Sequence, residues 1–147
     1  MKCVVQKVSS AKVCVEGKTV GNINSGLLVL AGFKATDNTE IVKWMCNKLA
    51  NLRVFKDEEE KLNRSVLDIQ GEILIISNFT LYGDVQRGFR PSFTEAANSQ
   101  ISEPIYNEMV DTLRNNYPIK VETGIFGAMM EVSLLNDGPV TIIIEKD

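Results

Sequence analysis

The sequence predicts a single compact α/β domain over residues 1–147, strand-rich and barrel-like, with a mostly antiparallel sheet and two main helices. Three observations predict it. Valines alternate with polar residues from Val4 to Val15, apolar runs of strand length recur at Gly26–Gly32 and Glu72–Ser77, and only two stretches carry helical spacing. No Pro/Gly/Ser-rich linker, repeat or low-complexity tract divides the chain. With 44% hydrophobic residues in 147, the chain can bury roughly 68% of the surface its unfolded state exposes, and it needs no metal or disulfide staple.

Each element follows from its own residues. Val4–Val8 and Lys12–Val15 alternate as strands, Glu16-Gly17-Lys18 makes a tight turn, and Thr19–Ile23 returns, which makes three antiparallel strands. Gly26–Gly32 (GLLVLAG) is apolar throughout, as in a strand buried on both faces. Asp37-Asn38-Thr39-Glu40 offers a helix cap with an acid three residues on, ahead of Ile41, Val42, Trp44, Met45 and Leu49, so a first helix is expected over about 38–50. Lys56–Lys61 is a short mixed-charge run suited to a solvated turn. Glu72–Ser77 (EILIIS) is a buried strand, and a second helix is expected over about 99–115, its regular start delayed by Pro104. Two last strands, near 131–135 and 140–145, flank Asn136-Asp137-Gly138-Pro139.

Composition excludes several chemistries. The chain has no histidine, so a Ser-His-Asp triad, a Cys-His pair and a His-ligated zinc are all ruled out. Its 3 cysteines, Cys3, Cys14 and Cys46, lack CxxC spacing, which argues against a disulfide framework or thiolate metal site and fits a reducing cytosol. Met1–Lys7 alternates like a strand rather than a signal peptide, and the longest apolar run is too short to cross a bilayer. A soluble, cytoplasmic protein without membrane contact is expected. Asp84 and Asp137 are isolated loop acids of the kind turns use, so no metal or other cofactor is expected.

Four segments carry more functional atoms than their structure requires. Ser77-Asn78-Phe79-Thr80 leaves a buried strand with two hydroxyls and an amide at its end, where main-chain N–H groups can hold a carbonyl oxygen or an oxyanion; local backbone satisfaction is the plainer reading. Asn136–Thr141 reads locally as hairpin chemistry, yet Pro139 after Gly138 stiffens the loop beyond what a turn needs. Gln86–Phe93 interleaves Arg87 and Arg90 with Phe89 and Phe93 and has no acid, which suits phosphate contact and base stacking, or a loop anchored to the core by its phenylalanines. With 16 basic against 19 acidic residues and a net charge of −3, RNA contact requires cations gathered locally. Thr123–Met130 is small and apolar, fit either to line a cavity through Phe126, Ala128 and Met129 or for plain core packing.

These residues resemble one family along essentially the whole chain: the D-aminoacyl-tRNA deacylases, which hydrolyse D-amino acids from tRNA. Its most specific marks are Ser77–Leu81, where the family carries Ser-Gln-Phe-Thr-Leu, and Asn136–Thr141, its Asn-Asp/Ser-Gly-Pro-Val-Thr motif. The resemblance implies the deacylase-family fold and a homodimer in which a cis Gly138-Pro139 reaches into the partner's site, facing that chain's Ser77–Thr80. It places Thr80 at the position of the family's proposed nucleophile. Expected catalytic residues are therefore Thr80, Ser77 and Phe79; Asn78, Gly138, Pro139, Phe126, Ala128 and Met129 would bind substrate, and Arg87, Arg90 and Phe89 would bind RNA. Asn78 is shorter by one methylene than the usual Gln, and Lys7 replaces an arginine common in the first strand. An aminoacyl-tRNA substrate, rejection of L-amino acids by the Gly138-Pro139 wall and a side activity on glycyl-tRNA follow as expectations. The competing readings are a non-catalytic RNA-binding or assembly module and a small-ligand binding protein.

Overall fold

The computed structural model describes residues 1–147. A 14-residue strand β1 (Lys2–Val15) organises the sheet. Along one edge it pairs antiparallel with β8 (Glu131–Glu145). Along the other it pairs with β3 (Gly26–Gly32) over residues 2–8 and with β2 (Lys18–Ile23) over 11–15. Two strands were expected where β1 is one. Register shifts at Gln6/Val8 and Val8/Ser10 absorb the polar Ser9-Ser10 step while pairing with β8 continues, so the strand bends instead of breaking.

The sheet then turns parallel. β3 pairs with β6 (Glu72–Ser77) and β6 with β7 (Lys120–Thr123), so the sheet is mixed, its antiparallel part centred on β1. The unbroken apolar runs of β3 and β6 suit parallel strands covered on both faces. Leu27, Val29 and Ala31 pack into the helix-side core of 25 buried residues, whereas Leu28 packs with Val8, Val13, Leu74 and Ile76 in a second core of 7 on the other face. The sheet curls almost closed around that second core. β2 approaches β7 so tightly that a Cβ on Gly21 would lie 2.5 Å from the Thr123 carbonyl oxygen, which only glycine permits.

Two helices cover the other face. In α1 (Thr39–Asn51) the cap is Asn38, whose Oδ1 accepts from Glu40 N at 3.0 Å and Ile41 N at 3.1 Å. Asp37 instead accepts from the Met1 ammonium at 2.6 Å. α2 (Ser99–Asn116) begins without the delay expected from Pro104. The Asn98 side chain caps Ile101 N at 3.1 Å and its carbonyl accepts Ser102 N at 2.9 Å, so the first turn closes before the proline is reached. A small hairpin of β4 (Phe55–Lys56) and β5 (Leu62–Arg64) carries the mixed-charge turn.

The largest departure lies in β8. The expected pair of strands around a turn is one 15-residue strand that stays paired with β1 on both sides of Asp137–Pro139. Asn136 faces Val8 and Thr141 faces Gln6, so two residue steps on β1 are matched by five on β8 and the surplus is pushed out as a bulge. Asn136 Nδ2 closes its neck, donating to the Lys7 and Val140 carbonyls at 3.0 Å each.

Candidate active site

The site begins where β6 runs out of apolar residues. Asn78 N–H extends the β3–β6 ladder by one bond, donating to the Ala31 carbonyl at 2.7 Å. Its side chain then ends the strand: Oδ1 accepts from Thr80 N at 3.1 Å and from Thr80 Oγ1 at 2.5 Å, capping a short 3₁₀ turn over Phe79–Tyr82. Gly83 N–H closes the turn on the Thr80 carbonyl at 2.9 Å. Two consequences are chemical. The Thr80 N–H is held by Asn78, whereas no side chain and no loop carbonyl accepts from the Phe79 N–H. The Thr80 hydroxyl proton points at an amide oxygen, which has no basicity with which to remove it.

A cavity of about 700 Å³ opens over this turn. Ser77, Asn78, Phe79 and Thr80 form one wall, and Phe126, Ala128 and Met129 another, so of the Thr123–Met130 segment it is residues 126–130 that line the cavity. Phe33 at the end of β3 and Ala97, Asn98, Ser99 and Ser102 around the start of α2 complete it. These last residues were not foreseen. What brings Asn98 here is the neighbouring Ala97 N–H bond to the Phe33 carbonyl at 2.8 Å, a contact no local pattern encodes.

None of the 18 residues lining the cavity is ionisable. The two core thiols supply no nucleophile either: burial pushes Cys3 and Cys46 up to about 12, so both stay protonated. Beneath the 3₁₀ turn, burial likewise raises the Tyr82 phenol, whose hydroxyl has no hydrogen-bond partner.

The remaining candidates lie outside this cavity. Gly138 and Pro139 sit exposed on the β8 bulge, joined by a cis peptide, with Gly138 at φ 127°. They do not line the cavity of their own chain. Lys7 serves the bulge through its charge: its Nζ meets Asp137 Oδ2 at 3.0 Å and lies 5.6 Å from the centre of the Phe55 ring. Arg87, Phe89 and Arg90 occupy an exposed loop whose ends are clamped by two main-chain bonds between Asp84 and Ser92, at 2.8 and 2.9 Å. Neither arginine makes an ion pair within the chain. Phe89 is 106% exposed and anchors nothing, whereas Phe93 at the loop's base packs on Phe79 with ring centres 5.1 Å apart. No helix is long and apolar enough to cross a membrane.

Comparison with known proteins bears on this arrangement. Residues 4–145 match the family described as D-Tyr-tRNA(Tyr) deacylase. The chain is 54% identical over 146 residues to the D-aminoacyl-tRNA deacylase of Thermosipho africanus (strain TCF52B), covering 99% of this chain and 97% of that one. It is 52% identical to the D-aminoacyl-tRNA deacylase of Chlorobaculum parvum (strain DSM 263 / NCIMB 8327), covering 99% and 98%. Among solved structures it superposes on a c-Myc DNA Unwinding Element Binding Protein with a TM-score of 0.94 at 42% identity, covering 100% and 99%. A probable eukaryotic D-amino acid tRNA deacylase shares the fold at a TM-score of 0.81 and 17% identity, covering 97% of each chain. With nearly every residue inside the match and relatives above half identity, the chain belongs to the D-Tyr-tRNA(Tyr) deacylase family.

Proposed function

We propose that this chain hydrolyses the ester bond of D-aminoacyl-tRNAs, releasing the free D-amino acid and tRNA. The observation that carries the mechanism is the absence of any ionisable side chain around a cavity that holds a hydroxyl and a free main-chain donor. An activated ester of this kind needs little more than positioning and oxyanion stabilisation. The Phe79 N–H holds the carbonyl oxygen. Water, activated by the neighbouring ribose hydroxyl of the tRNA, attacks the carbonyl carbon; the ester C–O bond breaks and the departing ribose oxygen takes the proton. Thr80 orients the reacting groups from its bond to Asn78. A covalent acyl-threonine route lacks a base, because the Thr80 hydroxyl donates to an amide oxygen.

Selectivity belongs to the bulge. The outer edge of β8 is unpaired along its 15 residues, and Leu135 and Ile143 are 63% and 67% exposed beside Leu134 and Ile142. Such an edge and apolar face suit a second copy of the chain. In that homodimer Gly138-Pro139 of one copy stands over Ser77–Thr80 of the other and obstructs L-side chains. Glycine offers nothing to obstruct, so glycyl-tRNA is cleaved as a side reaction. Arg87 and Arg90 contact phosphates and Phe89 stacks on a base; this local charge supports transient binding of tRNA in the cytoplasm.

The likeness to a DNA unwinding element binding protein favours one alternative, nucleic-acid binding without catalysis. Incubation with D-tyrosyl-tRNA and L-tyrosyl-tRNA decides between them. Release of the D-amino acid only is expected; release of neither overturns the proposal in favour of the binding module.

A further inference from the structure

The RNA-facing loop and the catalytic turn share both ends. Gly83 leaves the 3₁₀ turn with its N–H on the Thr80 carbonyl at 2.9 Å, and the next residue, Asp84, is clamped to Ser92. Phe93, immediately after the clamp, folds back onto Phe79 in an edge-to-face contact, with ring planes at 74°. The space between is full: a Cβ on Gly83 would lie 3.0 Å from both Phe93 Cε1 and the Thr80 carbonyl oxygen. Phe79 is 57% exposed, and Phe93 is the aromatic ring that packs on it, beside the main-chain N–H that serves as the donor of the site. From Phe93 the chain runs on through a turn, Ala96 N–H to the Phe93 carbonyl at 3.1 Å, into the Ala97–Ser99 wall of the cavity.

We propose that Phe93 is a positioning residue for deacylation: it locks Phe79, and so couples the loop bearing Arg87, Phe89 and Arg90 to the donor that holds the carbonyl oxygen. This rests on the deacylase reading of the site. RNA held by the loop presses the Asp84–Ser92 clamp and the Phe93 ring onto the 3₁₀ turn, and the donor is fixed when the tRNA is in place. An ester without the body of the tRNA leaves that restraint unused.

The test is single-turnover hydrolysis of D-tyrosyl-tRNA over a range of enzyme concentrations, with wild type, Phe93→Leu and Phe93→Tyr. Phe93→Leu lowers the rate at saturation by about tenfold or more, the scale on which a misplaced oxyanion donor acts, and leaves the half-saturating concentration within about twofold. Phe93→Tyr keeps the aromatic edge and restores the rate. An unchanged rate at saturation, a loss confined to half-saturation, or a loss that Phe93→Tyr does not restore overturns the proposal. If thermal melting shows Phe93→Leu unfolded, Gly83→Ala asks the same question by displacing the ring, and a full rate at saturation in that variant overturns it. Failure of the deacylase reading is separately visible, because wild type itself then releases no D-tyrosine.

Discussion

The Ser77–Thr80 turn and the Asp137–Pro139 bulge are built in opposite ways. The turn is made by one chain from buried strands, and its cavity is walled by four segments of that chain, none contributing an ionisable side chain. The bulge is thrown outward from an edge strand and steadied by polar bonds: Asn136 to two carbonyls and Lys7 to Asp137. In the proposed reading, the turn carries the chemistry and needs no partner to form, while the bulge carries selectivity and has nothing to select until a second chain faces it.

The largest expected effect comes from the turn. Phe79→Pro deletes one main-chain N–H together with the ring, at a position where the preceding Asn78 is already extended (φ −147°, ψ 93°) and proline fits the start of a helical turn. Its single-turnover rate on D-tyrosyl-tRNA falls about 10²–10³-fold. Phe79→Ala, which keeps the N–H and loses the ring, falls less; equal losses would remove the donor from the mechanism. Next comes the bulge: Pro139→Ala admits L-tyrosyl-tRNA while D-tyrosyl-tRNA hydrolysis stays within a few-fold, a discrimination change of about tenfold or more, as steric exclusion of one isomer implies. Unchanged selectivity measured on both substrates would assign the wall elsewhere.

Asn136→Ala sharpens the contrast at lower cost. It leaves the Lys7 and Val140 carbonyls without their donor, which costs about 1–3 kcal/mol of stability, read as a lowered denaturant midpoint, and loosens selectivity without abolishing hydrolysis. The smallest effect is that of pH. No ionisable side chain lines the cavity, so the rate under single turnover shows no enzyme-derived inflection across the neutral range. Stability does turn over, further out. Cys3 and Cys46 are pushed from 9.0 up to about 12 by burial, so the unfolded chain loses these protons first. Their contribution is whole below about pH 9 and is lost as pH rises towards 12, which melting curves at stepped pH would register.

The same two regions differ in how far they can be read from residues alone. Ser-Asn-Phe-Thr after the apolar run EILII announces a strand end with hydroxyls and an amide, and the folded turn differs only in which N–H remains free. Asn136–Pro139 misleads: Asn-Asp-Gly is local turn chemistry, and the bulge exists because β1 pairs with β8 on both sides of it, a relation between residues about 130 positions apart. Distance in sequence likewise hides Phe33 and Ala97–Ser102 from any reading of the cavity. The two helices needed no such contact, since Asn38 and Asn98 mark their starts with their own side chains. The short β7 strand, Lys120–Thr123, carries too little pattern to stand out before its parallel pairing with β6 is seen.

Division of labour between two chains is tested most directly by complementation. A Phe79→Pro chain and a Pro139→Ala chain, carrying different tags, are co-expressed and the mixed dimer isolated. In one of its two sites an intact turn faces an intact bulge from the other chain; the opposite site has neither. The mixed dimer is therefore expected to hydrolyse D-tyrosyl-tRNA at about half the wild-type rate, one site in two, and to refuse L-tyrosyl-tRNA as wild type does. Hydrolysis of L-tyrosyl-tRNA at about half the level of the Pro139→Ala parent, again one site in two, would show that each bulge guards its own chain's cavity, and would contradict the cross-subunit arrangement.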